Sequence, residues 1–488
     1  MYSDDFDSYP PSIEPPRSPL KNCLMALISA VVIVGLLGSA IAGVVWLVRS
    51  RSEAQAVPET LNPLIPTLAA SPHGEDAGTS DGEAAVSPST SEFESALSST
   101  DRINRIVYVT AEGRIATISP NGTNNRLLTD TARGYLFPAW SPAGADIAVI
   151  ANGAAGSAVV QLSDVPEVEA NNLYFSRAEA VIYLYWSPDG HYLSFITNHP
   201  TGGLGLNIVT PTEEDESRLL TLGQPFYWQW TADAQQLFIH TGFSGSDARL
   251  TLIDVEGDGE GENVAVPGLF QSPGISADGR YWAYAEEETA DTNWLVLADT
   301  ESGELQRERH GGQVALSWSP KANQLAFISG DEGDSRFYGP LRLFDAATGE
   351  TTLLTHDIVL AFFWSPDGRY LAYFTATQAR NDEIQVSARR SLTKPAQQRA
   401  IEFRLFVTDV TTGEGLQLAA FTPTFIFLSQ FLPFFDQYAQ SHRIWSPDST
   451  ALVLPIRVQD ESRIFVVPVN GGQPQEIAVG DMAFWSQR

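Results

Sequence analysis

The chain has 488 residues and a formal net charge of −30, from 59 acidic and 29 basic side chains. That excess of acid argues against a nucleic-acid partner and against docking of the main body on anionic lipid, because both need a basic face. A single cysteine, Cys23, excludes an intrachain disulfide and a cysteine-based zinc site.

Residues 1–22 carry five prolines among acids and serines and are expected to form a disordered cytoplasmic tail. Residues 23–48 follow as 26 positions without a charge. As a helix this stretch would be about 39 Å long, enough to cross a hydrocarbon core of ~30 Å with some tilt. A cleavable signal peptide would be shorter and end at small residues. A lipoprotein signal would place its cysteine behind the apolar run, not in front of it. The stretch therefore reads as a retained transmembrane helix. Arg17 and Lys21 on one side balance Arg49 and Arg51 on the other, so the positive-inside count is tied. The shortness of the tail favours a cytoplasmic N-terminus and an extracytoplasmic body. Gly35, Ser39 and Gly43 share one helix face, a pattern that fits either helix pairing or ordinary membrane-helix composition.

Residues 49–103 are rich in Ser, Thr, Pro, Gly and Ala, and between 52 and 101 hold nine acids and no Lys or Arg. Such a stretch cannot bury enough apolar area to offset its ordering entropy. It reads as a flexible acidic linker, with a net charge of −21 left for the body beyond it.

From residue 104 onward one phrase recurs: PAWSPAG at Trp140, LYWSPDG at Trp186, WQWTADA at Trp230, LSWSPKA at Trp318, FFWSPDG at Trp364 and RIWSPDS at Trp445, with PGISADG at Ile275. The steps between anchors are 46, 44, 45, 43, 46 and 81 residues, a period typical of four-stranded propeller blades. Within each copy an apolar strand ends at Trp, and Ser-Pro-Asp-Gly turns the chain. A second apolar strand, a third ending in an acidic or Gly turn, and a more polar fourth follow. The first blade begins in mid-pattern with RIVYVT (105–110), and its missing strand is MAFWSQ (482–487). The C-terminal strand is thus expected to close an all-β, eight-bladed propeller over 104–488, with seven blades as the alternative.

WSPDG followed by a strand such as YLAYFT resembles the WD40-like repeats of TolB-like propellers. It also resembles the propeller domains of the prolyl oligopeptidase and dipeptidyl peptidase families. The resemblance implies the fold and leaves the task open. It does not extend to a hydrolase domain: within 104–488 no Gly-x-Ser-x-Gly elbow occurs, the nearest string being GFSGS at 242–246.

Other chemistry is sparse. Residues 254–259 imitate the start of a calcium loop, but the twelfth position is Ala265 instead of a carboxylate, so an acidic hairpin turn is expected. The seven histidines are scattered, which argues against the histidine-held metal of propeller lyases. No metal and no cofactor is expected. Two insertions account for the 81-residue step. Residues 377–400 carry Arg380, Arg389, Arg390, Lys394 and Arg399, either a solvated loop or a contact loop for an anionic partner. Residues 421–438 contain six phenylalanines and must be buried, cap the ring, or meet a partner. Asp436, Gln437, Tyr438, Ser441, His442 and Arg443 come next. They form either a polar binding pocket at the channel mouth or a hydrogen-bonded brace for the insertion.

The expected function is that of a binding scaffold for a protein, peptide or glycan, displayed outside the cytoplasmic membrane of a bacterium. The alternative is a propeller-type lyase or hydrolase working at the channel mouth.

Overall fold

Ser187, Asp189 and Gly190 show why the recurrent turn forms. Ser187 Oγ donates to Asp189 Oδ1 (2.5 Å) and accepts from Tyr192 N (2.9 Å), while Asp189 Oδ1 accepts from His191 N (2.9 Å). Gly190 sits at φ +76°, the left-handed region that favours glycine. Ser365, Asp367 and Gly368 repeat the set, with a serine–aspartate bond of 2.5 Å and φ +72°. Turn amides that the ladder cannot satisfy are met by two short side chains, so the hairpin is fixed locally.

The computed structural model describes residues 104–130, 134–142, 144–211, 217–243, 248–289, 292–330, 337–378 and 401–488. Its strands form four separate four-stranded antiparallel sheets, over 135–176, 181–223, 226–265 and 274–310, and one thirteen-stranded sheet. Three long strands make the large sheet continuous, among them Gly415–Pro423, which pairs with Ile401–Asp409 and, at its end, with Ala451–Val458. Glu350–Trp364 pairs as an outer strand with Gly339–Asp345 at its start and as an inner strand with Tyr370–Gln378 at its end. Gln475–Trp485 does the same, meeting Glu461–Pro468 first and Ile106–Thr110 last. No helix among the described residues is long and apolar enough to cross a membrane; residues 1–103, with the apolar run, lie outside them.

The chain ends meet in register. Ile106 pairs with Trp485, Val107 with Phe484 and Tyr108 with Ala483. Arg105 N donates to Ser486 Oγ (3.0 Å), and the buried Arg105 guanidinium bonds Asp164 Oδ2 (3.0 Å) and Thr117 Oγ1 (2.7 Å). Asp164 directly follows the strand Gly156–Ser163 of the sheet over 135–176, so this ion pair ties the seam to the next sheet.

Neighbouring four-stranded units are stitched by the repeat tryptophans. The indole Nε1 of Trp186 donates to Ala139 O (3.1 Å), that of Trp364 to Ser317 O (3.0 Å), that of Trp445 to Phe363 O (3.0 Å) and that of Trp140 to Phe484 O (3.3 Å). Each acceptor is the residue just before the preceding tryptophan. The stitch fails around the copy in which Ile275 replaces Trp. Trp230 Nε1 and Trp318 Nε1 have no partner, and Gln229 bridges to Ile275 instead, donating to its O (3.1 Å) and accepting from its N (2.8 Å).

The phenylalanine-rich insertion is helical. A π-turn over Phe427–Phe431 and a 3₁₀ turn over Leu432–Phe434 lead into helix α1, Phe435–Ser441. Phe427, Phe431, Leu432, Phe435 and Tyr438 are buried and join the main core with Phe362, Phe363 and Phe374. Phe425, at 75% exposure, stays outside. Because the insertion leads straight into residues 443–445, the innermost strand there shrinks to two isolated bridges, Arg443 with Trp485 and Trp445 with Leu452.

Candidate functional site

Helix α1 carries Asp436, Gln437, Tyr438 and Ser441, and His442 closes it by donating its N–H to Tyr438 O (2.8 Å). Asp436 Oδ2 accepts from Ser272 N (3.0 Å) and Oδ1 from Gln437 N (3.1 Å). The Gln437 amide grips the backbone of Trp228, donating from Nε2 to its O (2.9 Å) and accepting at Oε1 from its N (2.8 Å). Tyr183 Oη lies 2.6 Å from Ser441 Oγ, which lies 2.6 Å from His442 Nδ1. His442 Nε2 is 3.2 Å from Phe137 O. A carbonyl only accepts, so Nε2 carries the ring proton and Nδ1 accepts from Ser441. The Tyr438 ring stacks on Phe137 at 4.8 Å and meets Tyr183 edge-on at 5.0 Å.

These bonds reach the inner strands Tyr135–Trp140, Val181–Trp186 and Phe226–Trp230, and the segment leading into Gly274–Ile275. Four successive sheets are therefore tied to one short helix. Phe137 has φ +49°, a backbone state in which a bulky residue stands only when its surroundings hold it. Its carbonyl bond to His442 and its stack on Tyr438 supply that hold.

Burial sets the charge states. It raises Asp436 to about 6, against the opposing hydrogen bonds from Ser272 and Gln437. It lowers His442 to about 4. Asp436, Gln437, Tyr438, Ser441 and His442 are all buried, and in this arrangement they brace the insertion.

Arg443 differs. It is half-buried and lines a cavity of about 230 Å³. Ala439, Gln440 and His442 contribute from the helical insertion, Ser317, Trp318 and Trp364 from inner strands, and Pro320 and Pro366 from the turns that follow. Arg443 Nη1 reaches Gln487 O at 3.4 Å, and it makes no ion pair with a carboxylate among the described residues. Burial lowers its pKa. Tyr185, Gln229 and Gln440 also line this cavity. Of these only Gln229 has a sequence signal, an amide directly before the repeat tryptophan.

The other candidates fall elsewhere. Arg380, Arg389, Arg390, Lys394 and Arg399 lie outside the described residues. Asp254 Oδ1 accepts from Glu256 N (2.9 Å) and Asp258 Oδ1 from Glu260 N (3.1 Å), each inside one hairpin turn. Buried His240 and His310 each bond a single backbone carbonyl through Nδ1, at 3.0 Å. No group of three or more His, Cys, Asp or Glu among the described residues is arranged to hold a metal.

No family model matches the chain, and no curated protein matches it. Solved structures do. TolB from Acinetobacter baumannii is 18% identical over 51% of this chain and 62% of its own, with a TM-score of 0.34. The match thus spans less than two thirds of that protein. An oligogalacturonate lyase in complex with manganese is 13% identical over 71% of this chain and 86% of its own, at 0.44. A prolyl endopeptidase is 10% identical over 72% of this chain and half of its own, at 0.48. No activity is carried over from likenesses this distant. The chain's own repeated four-stranded sheets, stitched by tryptophans and joined end to end, have the architecture of a β-propeller.

Proposed function

We propose that the chain is a single-pass membrane protein whose eight-bladed propeller is displayed on an acidic tether outside the cytoplasmic membrane. There it serves as a binding scaffold for a protein, peptide or glycan. The count of eight takes the four separate sheets with four further modules inside the thirteen-stranded sheet, divided where its strands change partner. The anchor rests on the uncharged run 23–48, and the tether raises the effective concentration of the ring near the membrane.

The observation that carries the scaffold reading is the brace itself. The carboxyl and the imidazole of the cluster, Asp436 and His442, are buried and held by Ser272, Gln437, Ser441 and Phe137. An acid–base catalyst must instead reach the proton it moves. What stays open is the cavity beside Arg443.

Photo-crosslinking in intact cells tests this. A benzophenone residue at Ala277, on the cavity rim, is expected to give an adduct with an envelope component. The same residue at Leu305, on an outermost strand, is expected to give none. Adducts from Leu305 alone would overturn the reading, and recovery of the full chain in the soluble fraction after an alkaline wash would remove the anchor.

A further inference from the structure

Among the residues lining the cavity beside helix α1, Arg443 alone carries a formal charge. Other arginines with a structural role do have a carboxylate partner: Arg105 pairs with Asp164 at 3.0 Å, Arg280 with Asp299 at 2.7 Å, Arg369 with Asp409 at 2.8 Å and Arg463 with Glu476 at 2.7 Å. Acids outnumber bases 59 to 29 in this chain, so a counter-charge for Arg443 was easy to supply. Withholding it leaves a half-buried guanidinium whose planar fork suits a carboxylate.

Two further atoms in the same wall are unmatched. Trp318, 7% exposed, has no partner for its Nε1–H, and Gln440 has none for its buried Oε1, although its Nε2 donates to Ser272 Oγ at 2.8 Å. A lone cation beside apolar surface suits a carboxylate carried on an apolar group. A peptide ending in an apolar residue presents that pair. The wall between them is apolar: Ile275, Leu316, Phe363 and the prolines Pro273, Pro320 and Pro366. A sugar acid would need several partners for its hydroxyls. The Gln229 amide is already committed to Ile275, and the His442 ring to Ser441 and Phe137. A volume of about 230 Å³ lies below the ~300–1,000 Å³ usual for whole ligands, so the cavity takes an end and not a body.

We propose that this cavity captures the free C-terminus of a peptide partner. Arg443 pairs the α-carboxylate, and an apolar terminal side chain rests on the prolines. This rests on the scaffold reading and names its ligand.

The test uses the full chain in detergent micelles and fluorescent random hexapeptides with an apolar last residue, as free acids or as C-terminal amides. Free acids are expected to bind. Amidation or Arg443→Gln is each expected to weaken binding at least about 30-fold, with Arg443→Lys in between. Ala277→Trp, an exposed rim change that leaves Arg443 in place, is expected to block binding. Unchanged melting temperatures show that the variants fold. Equal binding of amides, or tight binding by Arg443→Gln that Ala277→Trp still abolishes, overturns the carboxylate anchor and leaves the scaffold intact. Binding that needs an internal Asp or Glu, or that only acidic oligosaccharides show, overturns the C-terminal assignment. Binding indifferent to both variants, or absent for every probe, overturns the cavity as a site.

Discussion

Asp436 and His442 are six residues apart and respond to acid in opposite senses. The carboxyl is raised by burial from 3.8 to about 6. The folded state therefore holds its proton more tightly than the unfolded chain. The stability this contributes is full below pH 3.8 and is lost as pH rises through 6, about 3 kcal/mol in all. His442 is lowered from 6.5 to about 4. Its contribution is full above pH 6.5 and is lost as pH falls through 4, again about 3 kcal/mol. Asp436→Asn is expected to stabilise the protein at pH 8, where the buried charge is removed, and to gain nothing at pH 4. Equal loss at both pH values in urea titrations would show a charge that is fully compensated. His442→Gln is expected to reduce the loss of stability between pH 6.5 and 4 without abolishing it, because burial also lowers His240 to about 4. An unchanged acid limb would contradict that assignment.

The tryptophan stitch holds neighbouring four-stranded units together, and two tryptophans of equal burial separate its parts. Trp445 and Trp230 are each 2% exposed, yet Trp445 donates to Phe363 O while Trp230 Nε1 has no partner. Replacement by Phe removes similar apolar contact at both sites. Only at 445 does it also strand a buried carbonyl, at a cost of about 1–3 kcal/mol. Trp445→Phe is therefore expected to lower urea stability by more than Trp230→Phe, and equal losses would show that the indole bonds contribute nothing. The recurrent turns were legible because Ser, Asp and Gly act within a few residues of one another, so their spacing carries the geometry. Helix α1 was not. Residues 427–441 pass through π, 3₁₀ and α turns with no side-chain N-cap, and their partners Phe137, Tyr183 and Trp228 lie more than 200 positions away. Sequence could therefore gather Asp436, Gln437, Tyr438, Ser441, His442 and Arg443 as one cluster, but not separate Arg443 from the buried five. Separation along the chain likewise hid Trp318 and Gln440, 122 positions apart, whose unmatched atoms appear only when sheet and helix meet.

At the scale of the molecule, an antiparallel sheet without closure would leave two edges able to pair with other chains. The join of 106–109 with 482–485 pairs both chain ends inside the thirteen-stranded sheet, so that neither Ile106–Thr110 nor Gln475–Trp485 lies at an edge. The seam depends on Gly480, where the register shifts. A Cβ there would lie 2.4 Å from Val109 O, closer than the backbone allows. Gly480→Ala is expected to loosen the seam and promote aggregation, measured by light scattering on warming, whereas Gly113→Ala, whose Cβ would meet nothing within 4 Å, is expected to pay only for its φ of +76°. The helical insertion then ties four sheets together from within, leaving the Arg443 cavity as the opening that binding can use. Amide hydrogen exchange on the full chain tests this account most directly. Residues 106–109, 482–485 and 435–441 are expected to exchange slowly and with one common opening free energy, and in Gly480→Ala all three are expected to lose protection together. Fast exchange of 435–441 beside a protected seam, or protection of 106–109 without 482–485, would contradict a ring closed by its ends and braced by its own helix.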